Sequence, residues 1–147
     1  MTETQAFPDL TSAAAVAERH VAVWNEPDAE RRRQRIAALW GEDARHLLQP
    51  PEEIRAIAAQ PGVATRAILE ARGHDEIAAR ATSAYEHWVG SEGLSFRGRG
   101  DADRLGDVIK FHWEAIARDG SVSAVGLCVV VLAGDGRIER DYTFVVA

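Results

Sequence analysis

The sequence predicts an α+β domain in which helices pack on one face of an antiparallel sheet. Two observations carry that prediction. The last third of the chain holds three extended runs, Arg104–Ala115, Ser121–Leu132 and Arg137–Val146, separated by Asp119-Gly120 and by Gly134-Asp135-Gly136. Such glycines supply the positive φ that tight hairpins require, so the runs read as a three-stranded meander. The earlier part of the chain instead repeats its apolar residues at helical spacing, and the resulting order of helix, helix, short strand, helix and strands is that of helices laid on one side of a sheet.

The first helix is expected from Ala13 to Asn25, capped by Thr11 or Ser12, with Val16, Ala17, His20, Val23 and Trp24 on one stripe. Asn25-Glu26-Pro27-Asp28 ends it and starts a second helix, about Asp28 to Trp40, with Ile36, Leu39 and Trp40 inward. The triple arginine Arg31-Arg32-Arg33 reads as a solvated helix face. Gly41-Glu42-Asp43 breaks the helix, and Ala44–Gln49 forms a short strand closed by Pro50-Pro51. A short helix is expected over Glu52–Gln60, whereas residues 63–72 fit either a turn of helix or an extended connector. Asp75 is a plausible cap for a third long helix whose inward side is Ile77, Ala81, Ala84, Tyr85 and Trp88, and Leu94–Arg99 follows as a strand.

In the first run of the meander Ile109, Phe111, Trp113 and Ala115 alternate with Lys110, His112 and Glu114, the period of a half-buried strand. The middle run, Val125–Leu132, is apolar on both faces, so a helix layer or a second subunit must cover each side.

A chain of 147 residues suffices for one domain with its own core; residues 1–11 read as a flexible lead-in and 12–147 as that domain. With 17 basic against 23 acidic residues the net charge is -6, which disfavours nucleic acid or an anionic membrane as partner. Cys128 is the only cysteine, so no internal disulfide forms and a reducing cytoplasm fits. Met1-Thr2-Glu3-Thr4 lacks the start of a secretory signal, and the longest uncharged run, between Asp119 and Asp135, is too short to span a bilayer. No metal is expected: His20, His46, His74, His87 and His112 show no paired ligand spacing.

Val23-Trp24-Asn25, Ala38-Leu39-Trp40-Gly41-Glu42-Asp43-Ala44, Gly73-His74-Asp75-Glu76-Ile77 and Asp135-Gly136-Arg137-Ile138 occur in an order that resembles the nuclear transport factor 2-like superfamily. Within it the chain is similar to SnoaL-like proteins, relatives of polyketide cyclases and ketosteroid isomerase, over roughly residues 12 to 146. The resemblance implies a cystatin-like, cone-shaped curved antiparallel sheet wrapped around the N-terminal helices, a small-molecule pocket inside it, no cofactor, and a homodimer paired through the outer sheet face. It also implies proton-transfer chemistry of the isomerase or cyclase kind, or a non-catalytic ligand-binding or interaction module on the same scaffold.

The isomerase positions transfer poorly. Leu48 stands where the carboxylate base would be, His20 where a tyrosine donor would be, and Cys128 where a protonated aspartic acid would be. By the cyclase pattern Asp141 takes a histidine-like position on the last strand and Thr143 the acid's. If Asp141 points inward it is the catalytic candidate, with His20 as partner; if outward, it is a rim charge beside Arg140 or Arg137, since alternation puts Ile138, Tyr142 and Phe144 on the apolar face. The pocket is expected to be lined by Trp24, His46, Leu48, Tyr85, Phe111, Trp113, Cys128 and Thr143, the same residue types that a filled core would use.

Overall fold

The computed structural model describes residues 12–49 and 69–147. Two helices lead, α1 (Ala13–Asn25) and α2 (Ala29–Leu39), followed by strands β1 (Trp40–Leu48) and β2 (Leu69–Arg72). Helix α3 (Gly73–Ala84) continues into a π-helical stretch, Tyr85–Ser91, before β3 (Ser95–Gly98), β4 (Asp103–Leu105), β5 (Val108–Ile116), β6 (Val122–Leu132) and β7 (Ile138–Val145). The sheet runs β2-β1-β7-β6-β5-β3, with β4 paired to β5. All pairings are antiparallel except β1 with β7, so the sheet is mixed rather than wholly antiparallel.

Local chemistry explains the helices. Ser12 caps α1 by accepting from the Ala15 amide, and Asp28 caps α2 by accepting from Arg31. Helix α3 starts two residues ahead of the expected cap: Arg72 holds the cap position without a side-chain bond, and Asp75 and Glu76 sit in the first turn, where negative charge meets the positive end of the helix dipole. Arg32 departs from its neighbours. Arg31 and Arg33 are exposed as expected, but Arg32 is buried, donating from Nε and Nη2 to the Glu26 carbonyl and from Nη1 to Thr82 Oγ1. It therefore ties the α1–α2 turn to α3 instead of facing water.

Two strand boundaries also differ from expectation, and a third was open. Residues 41–43 do not form a break: α2 stops at Leu39, and Trp40 is the first residue of β1, paired in parallel with Ile138. The ladder to β7 is interrupted after Trp40 and resumes at Arg45, opposite Arg140, so residues 41–43 are an irregularity within the strand and not its boundary. The run Arg104–Ala115 is itself a hairpin, turned at Gly106-Asp107, with Gly106 at φ 59 and Leu105 opposite Val108. Residues 69–72, left open by the sequence, pair with β1. The lead-in 1–11 and the expected helix over 52–60 lie outside the described residues.

The sheet curves because its ladders are interrupted. Register shifts fall between Trp40 and Arg45, between Ala115 and Ile116, and between Val131 and Leu132, where Glu139 of β7 is the extra residue. The concave face and the helices enclose the core, in which Val16, Val23, Ile36, Trp40, Ile77, Ile109, Val130 and Ile138 have no exposed surface. On the outer face Leu127, Val129, Val131 and Tyr142 are half-buried and Phe144 is exposed.

Gly126 shows how closely the concave face is packed. It sits opposite Trp113, and a Cβ built on it would lie 2.0 Å from the indole ring. The glycine in an otherwise apolar strand is thus the floor on which Trp113 lies. Gly126→Ala is expected to displace Trp113 and destabilise the protein by about 1–3 kcal/mol, read from urea unfolding, as overpacking usually does; an unchanged midpoint would mean that the indole has another place to go.

Candidate functional site

Three elements bring a set of polar side chains into the core. His20 lies on the inward stripe of α1, Trp40 and His46 come from β1, and Asp141 and Thr143 come from β7; all five are buried. Asp141 reaches the inside because of the extra residue in β7. Ile138 faces in, Glu139 and Arg140 are both exposed, and the alternation then restarts with Asp141 and Thr143 inward and Phe144 outward. Simple alternation from Ile138 would have put Tyr142 and Phe144 on the inner face; the bulge reverses this.

The Asp141 carboxylate has no exposed surface and accepts from His20 Nε2 at 2.6 Å and from Trp40 Nε1 at 3.2 Å, both on Oδ2. Thr143 Oγ1 lies 3.4 Å from Oδ1. Behind Thr143 the network continues outward: His46 Nε2 is 3.2 Å from Thr143 Oγ1, and Arg80 Nη1 donates to His46 Nδ1 at 2.9 Å and to the His46 carbonyl at 3.0 Å. Arginine only donates, so His46 Nδ1 accepts and its proton sits on Nε2, which donates to Thr143.

The two histidines are driven apart in charge. Burial favours neutral His20, but the carboxylate of Asp141 against its ring outweighs that and raises the pKa to about 10. Burial likewise disfavours a charged Asp141, yet the His20 cation and the bonds from His20 and Trp40 hold its pKa below the ordinary value. His20 also stands among aromatic rings, 5.2 Å from Trp40 and 5.1 Å edge-on to Phe111. Burial pulls His46 down to about 4, with His20 and Arg80 repelling its proton and Asp141 only partly opposing them. At neutral pH the centre is therefore an imidazolium–carboxylate pair beside a neutral imidazole. Trp24 Nε1 lies 3.4 Å from His20 Nδ1; in the imidazolium that nitrogen carries a proton and cannot accept from the indole N–H, so the contact is not a hydrogen bond in the charged pair.

A cavity of about 130 Å³ opens beside this network. His20, Trp24, His46, Leu48, Trp113 and Thr143 line it, together with Val21, Arg80, Ala84, Phe96 and Trp88. Asp141 is not in the wall; it stands behind His20, which is. Of the other residues expected there, Phe111 and Cys128 are buried in the core, Cys128 with Sγ 3.4 Å from Thr143 Oγ1. Tyr85 is half-buried under Arg32, whose guanidinium lies 4.9 Å from its ring. Trp88, expected inside, is 44% exposed at the cavity rim. The i→i+5 winding from Tyr85 onward rotates it off the α-helical stripe. Arg80 and Phe96 gave no signal in the sequence: an arginine among alanines on a helix reads as solvent-facing, and only the fold turns it toward His46.

His20, Cys128 and Asp141 also place possible ligand atoms within 4.8 Å of one another, a cluster that sequence spacing did not reveal. The geometry suits a proton rather than an ion. Two ligands of one zinc ion, at about 2.0–2.2 Å each in tetrahedral array, stand more than 3 Å apart, whereas His20 and Asp141 are separated by 2.6 Å.

Solved structures share this architecture. A SnoaL-like family protein from Agrobacterium tumefaciens, described as a candidate isomerase, superposes with a TM-score of 0.73 at 28% identity, over 92% of this chain and 97% of that one. A SnoaL-like protein of unknown function from Burkholderia thailandensis matches with a TM-score of 0.61 at 18% identity, over 99% and 100%. A protein with a ketosteroid isomerase-like fold from Catenulispora acidiphila, in complex with trimethylamine, matches with a TM-score of 0.58 at 11% identity, over 90% and 86%. Others are described as cystatin-like, nuclear transport factor 2-like and polyketide cyclase proteins. The chain therefore has the α+β fold that the sequence resemblance implied. No protein-family profile and no curated protein matches it.

The opposed histidines set the pH dependence of stability. His20 keeps its proton in the folded chain up to about pH 10 but loses it near 6.5 when unfolded. Its contribution is full below pH 6.5 and is lost as pH rises through 10. His46 stays neutral in the folded chain down to about 4, so its penalty grows as pH falls from 6.5 through 4. The melting temperature is expected to peak between these limbs, with Asp141→Asn flattening the alkaline side and His46→Gln the acid side. An alkaline limb indifferent to Asp141→Asn would contradict the assignment of charge to the pair.

Proposed function

We propose that the protein binds a small, largely apolar organic molecule between sheet and helices and moves a proton on it through His20, with Asp141 as the charge partner that keeps His20 protonated. The observation carrying this reading is the 2.6 Å His20–Asp141 pair, fully buried at the wall of an aromatic-lined cavity. Buried ion pairs are costly to maintain and add little stability over apolar packing, so one placed beside a cavity is a candidate for chemistry.

The cavity sets the size of the reacting part. At about 130 Å³ it is close to the 150 Å³ cavity that accepts benzene, so one ring or a short chain enters and anything larger extends past Trp88. His20 Nε2 is committed to Asp141, so the proton that reaches the ligand is the one on Nδ1, beside the Trp24 indole at 3.4 Å. As an imidazolium it protonates a carbonyl oxygen; the neutral imidazole then takes the proton from the adjacent carbon, giving the enol and restoring its own charge. No cofactor enters this cycle.

The alternative is a non-catalytic carrier or interaction module, favoured by Leu48, an alkyl side chain lining the cavity where the related isomerases keep their base. We further infer that a second copy covers Leu127, Val129, Val131, Tyr142 and Phe144 on the outer sheet face, a use that such an apolar face invites. A free, fully buried Cys128 thiol fits a cytoplasmic protein. No helix among the described residues is long and apolar enough to cross a membrane.

Proton exchange tests the reading. With cyclohexanone or 2-cyclohexen-1-one in D2O, the protein is expected to accelerate α-deuteration, followed by NMR, and Asp141→Asn to reduce the acceleration by about 10²-fold or more while the ligand still binds. Binding without exchange in the unmodified protein would favour the carrier, and exchange that survives Asp141→Asn would remove the pair from the chemistry.

A further inference from the structure

One charged group in the cavity wall is left unused by that chemistry. Arg80 is half-buried, and both bonds recorded for it leave from Nη1, to the ring and carbonyl of His46. Among the described residues its Nε and Nη2 have no hydrogen-bond partner and no carboxylate within ion-pairing distance. Nε and Nη2 form one edge of the guanidinium, the fork that takes a carboxylate through two parallel bonds. Holding His46 requires only Nη1, so that role does not account for the rest of the group.

The surroundings define what the free edge would meet. Trp24, Trp88, Phe96 and Trp113 provide flat apolar walls. Electrostatically the site is positive: the charges of His20 and Asp141 cancel within the pair, and Arg80 remains. Burial pulls the Arg80 pKa down while Glu76, Asp141 and Glu70 support the cation from a distance, as expected for a charge that has lost part of its water without gaining a direct counter-ion. Between Arg80 and His20 lie the packed rings of His46 and Trp24, 5.5 Å apart. An occupant touching both ends therefore has an acid group at one end and an exchangeable carbon next to a carbonyl, or a double bond, at the other.

We propose that Arg80 is the anchor for a ligand carboxylate, and that the natural ligand is a small planar carboxylic acid of about one ring's size, such as an aromatic, unsaturated or keto acid. This rests on the reading of the cavity as a ligand site and narrows it from apolar molecules in general to organic anions. A neutral ligand would leave the Nε–Nη2 edge unpaired in a half-dry wall, and an amine would meet a like charge.

Benzoate, benzamide and benzylamine share one ring and differ in charge, and their binding at pH 7 can be followed by calorimetry or by the fluorescence of the cavity tryptophans. Benzoate is expected to bind roughly tenfold or more tightly than benzamide, the usual reach of hydrogen bonds to a charged group, and benzylamine more weakly than either. Arg80→Met should abolish the preference while retaining benzamide, and Arg80→Lys should restore part of it without the bidentate geometry. Because these variants also release His46, their circular dichroism must match the parent; the charge series on the unmodified protein tests the proposal regardless. Benzamide binding as tightly as benzoate, or a preference that survives Arg80→Met, overturns the anchor and leaves the cavity reading standing. Binding of none of the three overturns both.

Discussion

A buried carboxylate that must keep its charge is the constraint on which the rest of this structure depends. Asp141 has no exposed surface and its charge is held by His20 and Trp40. Removing one member of such a pair typically costs about 3–5 kcal/mol, because the other is left charged in a medium that cannot solvate it. Each partner is therefore specified by position: His20 on the inward stripe of α1, Trp40 at the point where α2 gives way to β1, and Asp141 one residue past the register that simple alternation predicts. The adjoining bonds from Thr143, His46 and Arg80 extend the network from the core to the cavity rim.

The same network explains why the interior is not simply filled. The core around Ile36, Ile77, Ile109 and Val130 is apolar and closed, yet beside His20 and Thr143 the walls become indoles and imidazoles with space between them. Trp113 stays flat against the sheet because Gly126 offers no Cβ, and Trp88 stands at the rim because the helix beneath it unwinds into π geometry. A glycine and a helix irregularity, neither of which stabilises its own element, thus shape the cavity. Local departures from ideal structure of this kind commonly mark sites that serve something other than stability.

Much of the architecture was legible because it depends on short-range chemistry. The caps at Ser12 and Asp28, the stripe of α1, the meander with its glycine turns and the alternation of Ile109, Phe111, Trp113 and Ala115 all follow from residues close in sequence. What misled was equally local. Arg32 sits between two exposed arginines and reads like them, Gly41-Glu42-Asp43 reads as a break, and Gly106-Asp107 is hidden inside an apparently continuous strand. For two of these the outcome was set by a partner far along the chain, Thr82 for Arg32 and Ile138 for the start of β1; the extra turn is closed locally, by Leu105 pairing with Val108 across Gly106-Asp107.

By itself the sequence determined the α+β class, the inward placement of His20 on its helix, the turn positions and a likeness to SnoaL-like proteins. Periodicity and turn chemistry act over a few residues and are written in the order of side chains. The tertiary structure alone decided that Asp141 faces His20, that Asp141 lies behind the cavity wall rather than in it, and that Arg80 joins the site. The physical reason is that one inserted residue, Glu139, reverses the facing of the rest of β7, and a bulge is chosen by the pairing of two strands rather than by either strand's own composition.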